Sequence, residues 1–351
     1  MKMKTLIIIF VVLLLIVTAV VALLNHPCFG RRIGKERKAR IEASPNYRDG
    51  QFQNQIPTPQ LTGNTNWLSA MRKMLKGENR VPKEPIHAVK TDLKSLPTDR
   101  DWLVWFGHSS YLFQLGGQRF LVDPLLKMEF PVSVMMHPFK GTDIYSPDDM
   151  PKIDYLIITH EHWDHLDYAT LRDLRGKVQH VVCPLGVAEY LEYWKYDKDI
   201  ITEMDWDETF GHSSLKITCL PTRHFSNRMF KRNQTLWASF MVEIGERKVY
   251  VGSDGGYDDR FKQIRERFGQ VDLAMMENGQ YNENWANIHL MPADLEQAIL
   301  DLQANQVFTV HHDKFSLAPH AWTEPDSVAQ AIAERDSIRL LDQPIGTVVY
   351  Y

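Results

Sequence analysis

An apolar run that ends in histidines sets the terms for this chain. Tyr155-Leu156-Ile157-Ile158-Thr159 reads as a buried strand and passes directly into His160-Glu161-His162-Trp163-Asp164-His165. The chain holds 14 histidines in 351 residues, so a six-residue window should contain about a quarter of one; this window contains three. A strand end is rigid and the loop after it is exposed, so ligands placed there can be held with precision. Imidazole and carboxylate are the donor types that zinc and its neighbours take. His160 and His162, two apart on an extended loop, can converge on one ion. Asp164 and His165 would then face a second position nearby.

Later strand ends supply further donors. His224 follows the run Leu215–Leu220, Asp254 follows Lys248–Ser253, and His311 ends Val307–Val310. Gly252, Gly255 and Gly256 permit a tight loop around Asp254. Each of these alone could be an ordinary loop residue. Their shared placement at strand C-termini joins them to the cluster. His311 and His312 compete for one role, while His180 and His212 lack such a context and read as structural.

From about residue 101 short β-rich runs appear at 102–106, 111–114, 119–123, 155–159, 178–183, 215–220, 236–243, 248–253, 271–276 and 307–311. Helical patterns at 168–175, 188–195, 259–269 and 292–303 sit between the later ones. This predicts an α/β domain over 101–351, with mixed sheets and helices on their outer faces. Residues 26–100 read as a basic linker and irregular extension, with a helical piece near Trp67–Leu75. Hydrophobic residues at 44% and charged residues at 24% are ordinary for a globular chain and exclude a disordered one. A net charge of -4 gives no footing for nucleic acid. Cys28, Cys183 and Cys219 form no CxxC pair and no disulfide framework.

Residues 1–25 contain a different signal. Thr5 to Leu24 are twenty residues without a charge, long enough to span a bilayer as a helix. The reading is a retained single-pass anchor, with an uncleaved or cleaved signal as the competing one. Lys2 and Lys4 precede the span, whereas Arg31, Arg32, Lys35, Arg37, Lys38 and Arg40 follow it. That asymmetry places the domain on the cytoplasmic side, with an extracytoplasmic domain as the alternative. The same basic stretch could lie on anionic headgroups or be a solvated linker.

In the order and spacing of these residues the chain resembles the metallo-β-lactamase-fold hydrolases, from about residue 100 to 351. Within them it is most similar to the N-acyl-phosphatidylethanolamine-hydrolysing phospholipase D family. The supporting stretches are WFGHSS (105–110), THEHWDHLDY (159–168), TRHFSNRMFKRNQTLW (222–237), GSDGGYDDRF (252–261), RFGQVDLAMMENGQY (267–281) and IHLMPADLEQA (288–298). The resemblance implies an αβ/βα four-layer sandwich and a centre of two divalent ions, zinc first among the candidates. It implies His160, His162 and His224 on one metal, Asp164, His165 and His311 on the other, and Asp254 bridging both. His289 matches a histidine near the family's active site and would donate a hydrogen bond or proton to the substrate phosphate or leaving group. Where the family commonly has His-Trp-Gly-Thr-Phe, this chain has His311-His312-Asp313-Lys314-Phe315.

The function expected is that of a membrane-anchored, metal-dependent phosphodiesterase of phospholipase D type. The substrate would be a phospholipid or other phosphodiester. The alternatives are a lactonase or phosphodiesterase of a soluble substrate, and a binding protein that has kept the fold without the chemistry. His108 and Asp123, each following an early strand, read as residues that position ligands or as purely structural ones. Trp163, Phe225, Met229, Phe230 and Trp237 read as core or as an acyl channel. Lys231 and Arg232 could approach a lipid phosphate or sit in a solvated loop. The sequence leaves the oligomeric state open, a homodimer included.

Overall fold

Strands that are apolar on both faces need cover on both sides, and here each face finds a different partner. The computed structural model describes residues 2–62, 69, 72, 77–228 and 231–351; most of the helical piece expected near Trp67–Leu75, and Met229 and Phe230, lie outside them. The chain opens with helix α1 (Lys2–Leu24), α2 (Lys35–Ala43) and a hairpin of β1 (Tyr47–Arg48) and β2 (Gln51–Phe52). A first sheet then forms from β3 (Trp102–Trp105), β4 (Tyr111–Leu115), β5 (Gln118–Val122), β6 (Ile153–Ile157), β7 (Val178–Pro184) and β8 (Ile201–Met204), with the short helix α3 (Val132–Met135) between β5 and β6. The second is built from β9 (Thr209–His212), β10 (Leu215–Leu220), β11 (Ser239–Ile244), β12 (Arg247–Val251), β13 (Leu273–Glu277) and β14 (Gln306–Val310). The last strand, β15 (Val348–Tyr350), returns to pair with β3.

The strand orders are β15-β3-β4-β5-β6-β7-β8 and β14-β13-β12-β11-β10-β9. In each sheet antiparallel strands give way to parallel ones, at β5–β6 in the first and β12–β13 in the second. The parallel strands are joined through helices α4 (Tyr168–Leu174), α5 (Ala188–Tyr193), α6 (Arg260–Phe268) and α7 (Pro292–Leu302). Alternation sorts the side chains. Trp105, Phe113, Phe120, Ile157, Ile217, Phe240, Val251 and Phe308 meet between the sheets. Their neighbours Val104, Leu112, Leu156 and Val181 face Leu171 and Leu191 of α4 and α5. On the far side Met241, Tyr250 and Met276 pack on Phe261 and Leu295 of α6 and α7. The result is helix, sheet, sheet, helix, the four-layer arrangement the motif order implied.

Some elements escape the sequence pattern. The edge strands β8, β9 and β15 and the helix Glu324–Asp336 carry no periodicity strong enough to mark them. Within the stretch expected to link helix and domain, Ile41 of α2 and Phe52 of β2 are buried in the same cluster as the inter-sheet core. All three cysteines are buried and free.

Candidate metal centre

The parallel strands deliver their C-terminal ends to one edge of the sandwich, and the polar residues beyond those ends converge there. After β6 the chain curls: the amides of His165 and Leu166 both donate to the His162 carbonyl, at 3.1 and 2.9 Å. Asp167 then caps α4 by accepting from the Thr170 amide at 2.8 Å. This turn swings Asp164 and His165 back beside His160.

Two groups of donor atoms hold the residues expected as ligands, and a third, Asp254, Glu277, His289 and His311, overlaps them. His160, His162, His224 and Asp254 offer atoms lying within 4.8 Å of one another, and so do His108, Asp164, His165 and His311. In the first, His162 Nδ1 lies 2.9 Å from His160 Nε2 and 3.2 Å from His224 Nε2. Asp254 reaches into both: Oδ2 is 3.9 Å from His160 Nε2 and from His224 Nε2 and 3.3 Å from His165 Nε2, and Oδ1 is 3.2 Å from His311 Nδ1. All of the residues expected as ligands are therefore gathered at one place. His312 turns away from it, toward Asp326 and the Trp105 ring.

A further layer fixes the rings. Asp123 accepts from the Thr159 amide and hydroxyl and lies 2.7 Å from His165 Nδ1. The Ile288 carbonyl sits 2.9 Å from His224 Nδ1, which leaves Nε2 for the site. Ser109 Oγ is 2.9 Å from His311 Nδ1, and His108 Nε2 is 3.0 Å from Asp164 Oδ2. His108 thus reaches the edge of the second group, a closer position than the sequence alone implied. His180 is bonded to Thr202 and β9 ends at His212; neither histidine belongs to a donor group.

Burial holds His160 and His224 well below the usual imidazole range, and neighbouring histidines push the same way. Burial also lowers His162 to about 4 and His311 well below its ordinary value, against the pull of Asp254. These four rings are neutral at neutral pH. For Asp254 burial alone would raise the carboxyl, but His165 and His311 override it and hold it well below the ordinary range. Asp164 is likewise held low by His165 and His108 against burial. Neutral imidazoles and ionised carboxylates are the states a divalent metal requires. His165 differs: burial lowers it, but Asp254, Asp164 and Asp123 override that and favour its protonated form. A proton there stands in for positive charge that a cation would bring. The ring nitrogens His162 Nε2 and His165 Nε2 are buried without a hydrogen-bond partner among the described residues. Of the two, His165 Nε2 lies 3.7 Å from Asp164 Oδ2 and 3.3 Å from Asp254 Oδ2, a position where a divalent cation fits in place of the proton, whereas His162 faces the cluster through Nδ1.

His289 borders the same place, its ring 5.2 Å from that of His224 and 5.5 Å from that of His311. It is tied through Nδ1 to Glu277, which lies in the stretch RFGQVDLAMMENGQY but is given no site role by the sequence. Glu277 ends β13 and also accepts from the Gly255 amide at 2.8 Å; burial pushes its carboxyl up to about 7. The metal cluster opens into a cavity of about 680 Å³, bordered by His162, Asp164, Asp254, His289 and His311. The extension contributes Gln51, Thr58, Gln60 and Leu61 to its wall, opposite Phe225, Trp285, Ile288 and Leu317. Of the aromatic residues considered for an acyl channel, Phe225 lines the cavity. Trp237 is wholly buried in the core, and Trp163 packs against Phe29 and Arg228.

The sequence profile of the beta-lactamase superfamily domain matches residues 118–312. The chain belongs to that superfamily. It is 34% identical over 311 residues to an uncharacterized protein of Mycobacterium tuberculosis, covering 86% of this chain and 83% of the other. It is 31% identical over 242 residues to the mitochondrial N-acyl-phosphatidylethanolamine-hydrolyzing phospholipase D of Saccharomyces cerevisiae; the match covers 66% of this chain and about half, 51%, of the yeast enzyme. Among solved structures, the metallo hydrolase Igni18 of Ignicoccus hospitalis shares the fold, with a TM-score of 0.54 at 17% identity over 72% of this chain and 98% of that one. The protein is a metal-dependent hydrolase of the metallo-β-lactamase fold, related to the N-acyl-phosphatidylethanolamine-hydrolysing phospholipases D. That fold implies divalent metal ions at the His/Asp cluster.

Proposed function

We propose that the protein is a membrane-anchored phosphodiesterase of phospholipase D type, holding two zinc ions and acting on N-acylphosphatidylethanolamine-like lipids. The observation that carries this reading is the pair of adjoining donor groups with Asp254 reaching into both, at the edge of a cavity with apolar walls. His160, His162 and His224 would hold one ion, and Asp164, His165 and His311 the other. A histidine-rich set with carboxylates suits zinc. Two such ions, when bound, lower the pKa of a shared water and offset charge that develops on a phosphoryl group. Around them, His289 is oriented by Glu277 and has no partner on Nε2 among the described residues, so it can donate to a phosphate oxygen. Arg232 lines the cavity and supplies a second positive group for the phosphate. Gln280 donates to the Phe315 carbonyl and accepts from the Leu317 amide, bracing the wall beside His311.

Helix α1 is long and apolar enough to cross a membrane, and its apolar side chains are not buried against the rest of the chain. We place it in the bilayer as a single-pass anchor, with the domain on the cytoplasmic face, on the charge asymmetry around it. The test is to incubate the full chain with N-acylphosphatidylethanolamine vesicles and analyse the lipids by mass spectrometry. Phosphatidic acid and N-acylethanolamine should appear together and vanish with chelator. One observation favours a soluble substrate instead: Gln51, Gln60 and Asn233 give the cavity polar edges. Hydrolysis of soluble lactones or diesters with no release of phosphatidic acid would decide for that reading.

A further inference from the structure

The adjacent residues Lys231 and Arg232 line different cavities. Arg232 lines the catalytic one, and Lys231 lines a second, of about 900 Å³. Leu24 and Asn25, at the C-terminal end of α1, form part of this second wall. A cavity at the end of an apolar helix of spanning length lies at the level of lipid headgroups. Four cations line it: Arg31, Arg32, Lys38 and Lys231. Arg31 is held by Glu189 at 2.5 Å and Lys38 faces Glu42 at 3.4 Å. Arg32 and Lys231 are exposed and have no ion-pair partner among the described residues. The lining carboxylates are already engaged: Glu189 by Arg31 and Arg37, and Glu161 by the Tyr190 hydroxyl at 2.7 Å. Tyr190 and Tyr193, on the same wall, are of the aromatic type enriched at membrane interfaces.

We propose that this juxtamembrane cavity binds the headgroup of an anionic phospholipid, with Arg32 and Lys231 as its phosphate partners, at a site separate from the catalytic one. Charge complementarity selects the headgroup, and the position beside Leu24 selects a lipid over a soluble anion. The site rests on α1 lying in a bilayer, so anchoring needs its own readout. Alkaline carbonate extraction of membranes supplies it: release of the chain would overturn the anchoring on which the site depends.

The binding itself is read by native mass spectrometry on the full chain in neutral detergent, with equal amounts of phosphatidylglycerol and phosphatidylcholine. Phosphatidylglycerol should be retained about tenfold more. Arg32→Gln/Lys231→Gln should lose that preference while unfolding at the wild-type temperature, since both side chains are exposed and unpaired. Asp254→Ala, in the catalytic cluster, should keep it. Excess glycerol phosphate should leave the bound lipid in place. Equal retention of the two lipids, unchanged preference in the double variant, loss in Asp254→Ala, or displacement by glycerol phosphate would each overturn the proposal.

Discussion

His108, Asp123 and His311 have φ of 52°, 38° and 75°, a region that side-chain-bearing residues seldom occupy. Such conformations persist where the surroundings over-determine them. Here the His108 amide donates to the His312 carbonyl at 2.8 Å and the His311 amide to the His108 carbonyl at 3.0 Å, locking two strand ends together. Asp123 does not reach the metal position; it holds His165 and Thr159. Asp123→Asn should therefore lower metal affinity about 10- to 100-fold, read by competition with a chromophoric chelator; unchanged affinity would remove it from that role. Lys314 is fully buried and donates to the Phe106 and Leu125 carbonyls at 3.0 and 2.8 Å. Burial lowers it from 10.5 to about 8. Below that value both folded and unfolded chains carry the proton and the cost of burying the cation is full. As pH rises from about 8 toward 10.5 the folded chain has shed its proton while the unfolded chain keeps it, so stability increases. Urea denaturation across that window should show the rise in the wild type and its absence in Lys314→Met; parallel curves would contradict the assignment. The contiguous His-x-His-x-Asp-His residues were legible because one strand end carries them all. Ser109 was not, because only folding brings it to His311. Glu277 could have been found by the rule that singled out Asp254, a carboxylate at a strand's C-terminal end.

At the scale of elements, α2 is held to the domain by charge. Arg37 pairs with Glu189 and Glu192 at 2.5 Å and with Glu203 at 3.0 Å; Glu189 and Glu203 are only 3% and 8% exposed. Removing the arginine would leave buried Glu189 with Arg31 and the Gly34 amide, and would take from buried Glu203 its close cation, leaving it the Gly186 and Ala188 amides. Arg37→Met should cost about 3 kcal/mol or more, measured by chemical denaturation; a loss under about 1 kcal/mol, the range of an exposed pair, would show that the clamp is solvated. None of this was visible beforehand, since the basic run around Arg37 is indistinguishable in sequence from a free linker. The inner strands of both sheets were legible because both of their faces are apolar. The edge strands β8 and β9 were not, because they are half-exposed and their patterns are weak.

For the whole molecule, the folded unit begins just beyond α1. Cys28 is buried, its carbonyl accepts from Arg228 Nε at 2.8 Å, and the Pro27 carbonyl accepts from Trp194 Nε1 at 2.8 Å. Arg228 also donates to the Glu161 carbonyl at 2.8 Å, so the juxtamembrane segment and the histidine loop share one guanidinium. Deleting residues 1–24 should leave a soluble, metal-binding domain, whereas deleting 1–43 should lower its thermal stability sharply by removing these contacts and α2. Equal melting temperatures for the two truncations would contradict that division. The twenty-residue apolar span was plain in the sequence, but its junction with the domain was not, because the contacts that define it join residues more than a hundred positions apart. Separate strand ends assemble the candidate metal centre, with the Asp254 carboxylate reaching into both of its donor groups. Elemental analysis of the purified full chain and of Asp254→Ala tests this directly. About two divalent ions per wild-type chain, and fewer than about one in the variant, are expected; a wild type holding less than about one, or a variant that keeps two, would contradict it.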